Sequence, residues 1–517
     1  MPLHYASLSL LLVSVVLTGM ALRGLCLYMR LRHVPSPLLN KFLRIKLSFH
    51  ELRLQRNEAI ASWHARYGPV VCIGPNEVSV ASCQGIKDIY SSTNQFPKSA
   101  YFDHFAERGH RSMFATRPYR DHQRKRALTS SFYQASNIYT RPDIEAHIQE
   151  RVTAVLGYIR RRSQEGTNVD VYALTDWYGF DIITYIVFGH GHGTRTVEDL
   201  AYEREREILR HLKHLQRWGP FRVLFPRLFE AATSVASSVM PSLEYLQADK
   251  KLSRWSRERT SHILQSSTPN PRCLLGKLAA RYHGEQQSLG AGQKSAGLSR
   301  EFIAAEVLDN INAAEATIAV TATYFLYHLS ASPGWQRRLA DEVRQLRESS
   351  ECVPPFSAVN QLPIMEACLK EVYRLHPASS GRAERVVPSG GRVVSGLFLP
   401  EGGLRQIIVT SAVTSLQRRG TVFPDPDSFR PEHWLQNDAQ GRAREREAYL
   451  IPFGHGARLC LGKALATMEI KMLIAGIYLH YETALADSCT VESMRQLSTH
   501  DAVPSGLRCE IVFRRLD

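Results

Sequence analysis

The chain has 517 residues, of which 44% are hydrophobic, a share that is ordinary for a globular protein with a large core. Its 64 basic and 49 acidic residues give a net charge of +15, but the basic residues are spread along the chain and form no basic domain, which argues against a nucleic-acid-binding protein. A membrane surface or an acidic protein partner accounts for the charge equally well. The nine cysteines have no framework spacing, so we expect a reducing compartment and no disulfide scaffold.

The first predicted element is a helix at residues 5–29, which are nearly all apolar and are interrupted only by Arg23. About 25 residues at ~1.5 Å each can cross a ~30 Å hydrocarbon layer. A basic flank follows, as on the cytoplasmic side of membrane spans, and it contains Arg30, Arg32, Lys41, Arg44 and Lys46. A cleaved signal peptide is the alternative, but no basic segment precedes the apolar residues. We therefore expect residues 1–33 to be an uncleaved membrane anchor with its basic flank, and residues 34–517 to be one domain in the cytosol.

The next predicted elements are a hairpin and a basic helix. Residues 70–75 and 77–81 are two short β-rich segments around a Gly-Pro dipeptide, a pattern typical of a hairpin. His122 and Arg126 lie four residues apart in a strongly basic segment, on one face of a predicted helix. A basic segment of this kind is usually a solvated surface. Residues 141–265 have a mainly helical pattern and contain no chemical motif.

Residues 301–330 form one long, largely apolar predicted helix, with Ser299 as its N-cap. Small side chains in its middle would let a ligand approach the backbone closely. Glu315 lies among them, and because burying a carboxylate is costly, we expect this residue to have a functional role rather than a structural one.

A glycine-rich loop at residues 453–462 reads Phe-Gly-His-Gly-Ala-Arg-Leu-Cys-Leu-Gly and is followed by a predicted helix. It places Cys460 at a helix start, where backbone N–H groups and the helix dipole favour an anion, so we expect the thiol to ionise easily. No second cysteine lies two residues away, which excludes the thioredoxin and zinc patterns. Phe453 can shield the sulfur, and Arg458 can bind a carboxylate. One thiolate beside a planar, carboxylate-bearing ligand describes a haem held by cysteine.

The string F-x-x-G-x-R-x-C-x-G resembles the haem-binding signature of the cytochrome P-450 superfamily, and the chain is similar to its membrane-bound, microsomal, fungal-type members. The resemblance implies a mainly α-helical fold with a small β-rich subdomain, in which residues 34–517 are the haem-thiolate catalytic domain. It implies haem b as the cofactor, with Cys460 as the axial iron ligand. It further implies that five residues contact the haem or its propionates, namely Phe453, Arg458, His122, Arg126 and Arg385.

The chain resembles the family in further segments that follow in the family's order. Glu371 and Arg374 match its E-x-x-R helix, and Arg385 lies on the strand after it. His433 stands where the family usually has an arginine that binds this pair. Histidine can still donate a hydrogen bond to Glu371, although without the bidentate fork of arginine. We expect a structural role for Glu371, Arg374 and His433.

The helix at residues 301–330 resembles the family's oxygen-binding helix, in which an acid and an alcohol deliver protons to the reacting oxygen. Glu315 takes the acid position, but Ala316 stands where the alcohol is usual, and Thr317 comes one residue later. One residue is ~100° of rotation on a regular helix. Glu315 and Thr317 are predicted as catalytic residues, but Thr317 can fill the role of the alcohol only if the helix is locally distorted; alternatively, an ordered water or a substrate hydroxyl relays the proton.

The resemblance implies a monooxygenase that inserts one atom of O2 into a hydrophobic small molecule, in secondary metabolism. Its electrons would come from NADPH through NADPH–cytochrome P-450 reductase, which would dock where Arg120, Arg124 and Lys125 face outward. The protein would be a single-pass protein of the endoplasmic reticulum membrane. Two other functions stay open: a P-450-type isomerase or dehydratase that does not use O2, and a non-catalytic haem sensor. The residues expected to line a substrate pocket are Phe102, Phe105, Ala313, Ala316, the stretch after Pro377 and the segment near Ala502 and Val503.

Overall fold

The computed structural model describes residues 11, 14–15, 18–19, 22, 24–266, 270–288, 298–346, 353–402, 405–435 and 442–516. The chain divides into two compact units. The smaller unit consists of Met1–Ser99, Arg382–Leu416 and His455–Arg458, and the larger unit consists of Ala100–Gly381, Gln417–Gly454 and Leu459–Asp517.

Helices make up most of the described residues, which confirms the predicted mainly α-helical fold with a smaller β-rich part. In chain order the helices are α1 (Ile45–Leu52), α2 (Arg56–Tyr67), α3 (Cys83–Tyr90), α4 (Tyr119–Thr129), α5 (Ala135–Ile138), α6 (Pro142–Gln164), α7 (Val171–Phe188), α8 (Glu203–Gln216), α9 (Gly219–Leu224), α10 (Pro226–Val239), α11 (Ala248–Ser266), α12 (Leu274–Ser288), α13 (Arg300–Ser330), α14 (Pro333–Arg344), α15 (Phe356–Val359), α16 (Pro363–Leu375), α17 (Val413–Gln417), α18 (Glu432–Leu435), α19 (Arg442–Tyr449) and α20 (Lys463–His480). The strands are β1 (Val70–Gly74), β2 (Glu77–Val80), β3 (Val169–Asp170), β4 (Arg385–Val386), β5 (Arg392–Val394), β6 (Leu397–Leu399), β7 (Ile408–Ser411), β8 (Tyr481–Leu485) and β9 (Glu510–Arg515).

The smaller unit contains a four-stranded sheet in the order β1-β2-β7-β4. β1 and β2 are the predicted hairpin and pair antiparallel, with Val70 opposite Val80. Every residue of both strands is buried. Side chains alternate between the two faces of a strand, and here both faces are covered: Val71 packs in a cluster with Trp63 of α2, and Val70 packs in another with Phe96. A sheet buried on both faces gives this unit its own core.

The larger unit is built around α13, which has 31 residues and matches the helix predicted at 301–330. Ser299 is its N-cap, as predicted, because its hydroxyl oxygen accepts a hydrogen bond from Phe302 N at 3.0 Å. α7 packs closely along α13. Gly179 of α7 permits this approach, since a Cβ at that position would lie 3.2 Å from Cβ of Ile318. α6 and α20 pack against this pair, so four helices form the core.

The larger unit also contains a three-stranded sheet in the order β3-β9-β8, two strands of which come from the C-terminal end of the chain. β8 pairs antiparallel with β9 from Tyr481 opposite Arg515 to Leu485 opposite Ile511. β3 adds only two residues to the other edge of β9. The sequence patterns did not predict this sheet, because β3 and β8 are short and each directly adjoins a helix.

The predicted membrane anchor lies mostly outside the described residues. Of residues 5–29, the structure describes 24–29 and six earlier positions, and these are helical. Within the described part of the chain, no helix is both long enough and apolar enough to span a bilayer. The anchor at residues 1–33 therefore stays a prediction.

A half-buried histidine pair joins the end of α13 to the residue after α16. His328 Nε2 and His376 Nε2 lie 2.8 Å apart, so one ring donates and the other must be neutral to accept. Tyr324 stacks on His376 with ring centroids 3.8 Å apart, and Phe429 stacks on His328 at 4.6 Å. Burial lowers the pKa of His328 to about 3 and lowers that of His376 well below its usual value. The fold therefore favours the uncharged pair.

We expect the protein to lose stability on acidification, and His328→Gln to reduce this loss. The folded pKa lies below the value of about 6.5 in an unfolded chain. His328 therefore does not lower the free energy of unfolding above about pH 6.5. Between that pH and its folded pKa, it lowers the free energy of unfolding by about 1.4 kcal/mol for each pH unit. Glutamine keeps a hydrogen-bonding group but does not titrate. Thermal unfolding midpoints measured between about pH 7 and pH 4 test this.

The matched control for this experiment is His283→Gln, because His283 is exposed on α12. It should keep the wild-type dependence of the midpoint on pH. An equal dependence in His328→Gln and in the wild type would show that the histidine pair does not govern acid unfolding.

Candidate active site

The candidate site is centred on the loop between α19 and α20. Gly454 and Gly456 have φ angles of +78° and +70°, in the left-handed region that glycine adopts without strain. Cys460 N donates a hydrogen bond to Phe453 O at 2.9 Å and closes the loop. α20 begins three residues later at Lys463. The structure therefore places Cys460 just before a helix, as the sequence predicts.

The thiol of Cys460 is accessible although protein surrounds it. The residue is exposed, yet burial raises the pKa of its thiol, and the N–H group of Gly462 and the charge of Arg126 offset this only in part. The prediction that the helix start makes this thiol ionise easily is wrong, because desolvation outweighs the helix dipole. A coordinated metal ion supplies the stronger charge that deprotonates a thiol outright.

Phe453 is held at the start of the same loop. Its ring meets the Tyr373 ring edge-on with centroids 5.1 Å apart. The Lys463 ammonium lies 5.7 Å from the centroid of Phe453. The hydrogen bond from Cys460 N to Phe453 O fixes the two residues relative to each other. Phe453 is therefore next to the cysteine in the folded loop, as its predicted shielding role requires.

His122 and Arg126 lie one turn apart on α4, which confirms the predicted helix. His122 is only 2% exposed. Arg126 Nη1 donates a hydrogen bond to Leu459 O at 2.8 Å. Leu459 directly precedes Cys460, so the guanidinium lies beside the cysteine loop. The two predicted propionate ligands of the larger unit thus belong to one helix that borders the candidate site.

The neighbouring basic residues of α4 differ in where they point. Arg120 and Arg124 are exposed. Lys125 turns inward, because its Nζ donates to Thr116 Oγ1 at 2.9 Å and lies 4.9 Å from the centroid of the Phe302 ring. The prediction that Lys125 faces a protein partner is wrong, since a nearby hydroxyl and an aromatic face already bind its ammonium group.

Two further predicted haem contacts belong to the smaller unit. Arg385 is the first residue of β4 and is 7% exposed. Its guanidinium lies 4.9 Å from the centroid of the Tyr90 ring, and its Nη1 donates to Glu384 O at 2.9 Å. Arg458 ends a short 3-10 turn and is half-buried. That turn packs tightly at Tyr90, where a Cβ on Gly456 would overlap the carbonyl oxygen. Tyr90 therefore adjoins both Arg385 and the turn that carries Arg458.

α13 has an open face in the middle of its length. Ala313 is exposed there, and Ala316 and Thr317 are half-buried. Thr317 Oγ1 donates a hydrogen bond to Ala313 O at 2.8 Å, which a regular helix allows. The helix is continuous from Arg300 to Ser330. The local distortion that would carry Thr317 to the usual position of the alcohol is not observed.

Glu315 lies on the opposite, closed face of α13. It is 4% exposed and stands about 200° around a regular helix from Thr317. The charge of Asp176 of α7 acts on it, and Asp176 Oδ2 lies 2.9 Å from Lys213 Nζ of α8. Burial, and then the charges of Asp176 and Asp501, raise the pKa of Glu315 well above its usual value. The structure thus does not bring Glu315 and Thr317 together, and their catalytic roles stay predictions.

Tyr133 contacts α13 near its open face. Its hydroxyl donates a hydrogen bond to Asn310 Oδ1 of α13 at 2.8 Å. Burial, and then the charges of Glu306, Glu469 and Cys460, raise the pKa of Tyr133. Asn310 and Ala313 are three residues apart on one helix face. An exposed cysteine before α20 and an exposed alanine in the middle of a mostly buried helix are features that a flat, largely apolar group such as haem would fit.

Three segments predicted to line a substrate pocket meet in the larger unit. The rings of Phe102 and Phe105 lie 6.2 Å apart, and the ring of Phe114 lies within 5.4 Å of both. The His500 ring packs against Phe105 with centroids 4.7 Å apart. Ala502 N donates to Ala378 O at 2.8 Å. The aromatic cluster, the segment after α16 and the segment near Ala502 therefore come together, as the prediction requires.

Glu371 and Arg374 form a buried ion pair on α16, and neither side chain is exposed. Arg374 donates from Nη2 to Glu371 Oε1 at 2.7 Å and from Nε to Oε2 at 2.9 Å. His433 Nδ1 lies 3.2 Å from Glu371 Oε1, which confirms the predicted contact, and Trp434 Nε1 donates to Oε2 at 2.9 Å. Burial would raise the pKa of Glu371, but hydrogen bonds from Arg374 and His433 lower it to about 2. The cluster is structural, as expected.

Comparison with known proteins gives one matching family model and several similar proteins of the same kind. The chain matches the family model described as Cytochrome P450 over residues 35–502. It is 34% identical to cytochrome P450 monooxygenase FGM1 of Gibberella zeae, with 99% of both chains covered. It is 28% identical to cytochrome P450 monooxygenase ABA2 of Pyricularia oryzae, over 91% of this chain and 88% of that one. It is 25% identical to cytochrome P450 monooxygenase poxM of Penicillium oxalicum, over 96% and 92%.

Proposed function

The chain belongs to the cytochrome P450 family and is a haem-thiolate monooxygenase of secondary metabolism, and we propose that Cys460 binds the iron of haem b while the open face of α13 borders the reacting substrate. The observation that carries this proposal is that Cys460 is exposed just before the start of α20, with Arg126 of α4 bound to the residue before it. The substrate class we propose is a hydrophobic small molecule, because the residues of the pocket segments are mainly aromatic or apolar.

When bound, haem supplies the oxygen chemistry, by which one atom of O2 enters the substrate and the other leaves as water. The protein's residues position this group and exclude water. Cys460 would hold the iron through its sulfur, and the thiolate would supply electron density to it. Four cationic or hydrogen-bonding side chains would bind the carboxylates of the cofactor, as the family resemblance implies, namely His122, Arg126, Arg385 and Arg458. We propose that Phe453 shields the sulfur on the side of the loop and that Ala313 leaves room for a flat group against the helix.

Proton delivery is the role we propose for the two predicted catalytic residues of α13. Burial, and then the charges of Asp176 and Asp501, raise the pKa of Glu315 well above its usual value, which favours the protonated carboxyl group as a proton store on the closed face. Thr317 presents its hydroxyl on the open face, where it donates to Ala313 O. Since the two side chains do not meet, an ordered water or a substrate hydroxyl must connect Thr317 to a proton source.

Thr317→Val is expected to lower the yield of product per NADPH by up to roughly 100-fold, a typical contribution of a general acid. Valine has nearly the same shape but cannot donate a proton. Product formation and NADPH oxidation measured side by side test this. The control is Thr321→Val, one turn further along, because Thr321 Oγ1 makes the same kind of bond, to Thr317 O at 3.0 Å. Equal yields in the two variants would remove Thr317 from the proton path.

We propose that the redox partner is NADPH–cytochrome P-450 reductase and that it binds at the exposed side chains of Arg120 and Arg124. We further propose that a single-pass anchor holds the protein in the endoplasmic reticulum membrane, with its body in the cytosol. The apolar composition of residues 5–29 supports the anchor. So does α1, where Ile45, Phe49 and Leu52 lie on one helical face and are 65%, 53% and 47% exposed. An exposed apolar face of this kind favours contact with a membrane surface.

Product analysis with isotopically labelled O2 tests the proposed function. The protein is co-expressed with the reductase and supplied with a panel of lipophilic precursors. We expect a product that carries one labelled oxygen atom and that forms only when both NADPH and O2 are present. A second function, a P-450-type isomerase or dehydratase, is favoured by the separation of Glu315 from Thr317. An unlabelled product formed without O2 and without NADPH would establish that function instead.

A further inference from the structure

Two thiols outside the candidate active site are in contact. Cys489 Sγ and Cys509 Sγ lie 3.7 Å apart in the larger unit. Cys489 follows β8 and Cys509 precedes β9, and the pairing of these strands extends to Leu485 opposite Ile511. The two cysteines are therefore at the base of a loop formed by residues 490–508.

The environments of the two thiols differ. Cys509 is 1% exposed, its N–H donates to Asp170 Oδ1 at 3.0 Å, and its carbonyl accepts from Val171 N at 2.8 Å. The start of α7 therefore holds it in place. Cys489 is only half-buried, so solvent can reach it. The hydrogen bond between the thiols lowers the pKa of Cys489 and raises that of Cys509. An accessible sulfur that ionises first, beside a fixed second thiol, is typical of a reactive pair.

We propose that Cys489 and Cys509 are an oxidative modification site that forms a reversible disulfide with a low-molecular-weight disulfide, such as oxidised glutathione, as the oxidant. To form it, the two sulfurs move from 3.7 Å apart to a bond of about 2.05 Å. In a reducing compartment the pair stays as two thiols, and it becomes oxidised when glutathione disulfide accumulates.

The reaction proceeds by two exchange steps. The thiolate of Cys489 attacks one sulfur of oxidised glutathione, the bond between the glutathione sulfurs breaks, and one glutathione leaves as its thiolate. Cys509, after losing its proton to solvent, attacks the sulfur of Cys489 in the mixed disulfide and displaces the second glutathione. The two protein thiols thus lose two electrons and two protons, which oxidised glutathione takes up to become two molecules of reduced glutathione.

The disulfide would close the loop of residues 490–508 covalently at its base. The far end of this loop carries two residues with contacts elsewhere in the larger unit. The His500 ring packs against Phe105 with centroids 4.7 Å apart, and Asp501 Oδ2 accepts a hydrogen bond from Gln216 Nε2 at 2.6 Å. Because a cross-link removes alternative conformations of the segment it closes, oxidation would hold these two residues against their partners.

Peptide mapping of the full-length, haem-loaded protein tests the modification site. The protein is incubated with either reduced or oxidised glutathione, its remaining thiols are alkylated, and its peptides are analysed by mass spectrometry. After incubation with oxidised glutathione, we expect a cross-linked peptide in which Cys489 is joined to Cys509. Reduction with dithiothreitol should remove this cross-link. Cys489→Ser and Cys509→Ser should both lack it, whereas Cys83→Ser, at a half-buried cysteine of α3, should retain it. A wild-type protein in which both cysteines stay alkylatable, or carry only glutathione, would overturn the proposal.

Amide hydrogen exchange provides the second measurement, because it reports directly on the loop. We expect exchange in residues 490–508 to slow several-fold when the wild-type protein is oxidised, and to stay unchanged when Cys489→Ser is treated in the same way. Equal exchange in the reduced and cross-linked wild-type proteins would show that the disulfide does not restrain the loop.

Discussion

Cys460→Ser is expected to reduce substrate oxygenation to the background level. A serine hydroxyl has nearly the geometry of the thiol and can keep the hydrogen bonds from the backbone N–H groups of Gly462 and Lys463. It does not become the electron-rich thiolate ligand on which oxygen activation by the haem-thiolate enzymes depends. We therefore expect the variant to fold with a normal helix content and to form no product. NADPH-dependent product formation, measured with the reductase present, tests this.

The control for this variant is Cys83→Ser, which removes a half-buried thiol from the smaller unit. It should retain the wild-type rate of product formation. If Cys460→Ser forms product at a rate comparable with this control, the axial ligand is a different residue.

Glu371→Gln is expected to destabilise the protein by about 3–5 kcal/mol, the usual cost of removing one partner of a buried ion pair. The guanidinium of Arg374 would stay buried without a countercharge, since neither side chain of the pair is exposed. The new amide NH2 would also face the N–H donors of Arg374 or Trp434. A loss of this size is a large part of the 5–15 kcal/mol that stabilises a typical domain. We expect most of the variant to be insoluble or to unfold at a much lower denaturant concentration.

Lys370→Ala on the same helix is the matched control. Lys370 contacts Glu447 across a surface where their side chains are 25% and 52% exposed, and pairs of this kind contribute only about 0–1 kcal/mol. Denaturant unfolding of the two variants and the wild type gives the comparison. Similar midpoints for Glu371→Gln and Lys370→Ala would mean that the buried cluster does not hold α16 in place.

Features determined by neighbouring residues could be predicted from the sequence. The cysteine loop depends on two glycines and on one hydrogen bond between Phe453 and Cys460, all within a few residues. Ser299 caps α13 through Phe302, three residues away. The β1–β2 hairpin follows from two β-rich segments around a Gly-Pro dipeptide. In each case the side chains that determine the conformation are adjacent in the sequence, so the pattern alone contains the information.

The predictions that failed depended on burial and on distant partners. Ionisation of Cys460 depends on desolvation, which the sequence does not show. Periodicity gives the angle between Glu315 and Thr317 but not which face of α13 is open. The groups around Glu315, Asp176 of α7 and Lys213 of α8, come from helices far away in the sequence and carry no motif. Lys125 likewise turns inward because of Thr116 and Phe302, which lie outside its own helix.

The absorption spectrum of the reduced, carbon-monoxide-bound protein tests the central claim most directly, because the Soret band reports the axial ligand of the iron. We expect the purified wild-type protein to show the long-wavelength band of a thiolate-ligated haem, and Cys460→Ser to lack it. The same band position in both proteins would contradict the assignment of Cys460 as the iron ligand.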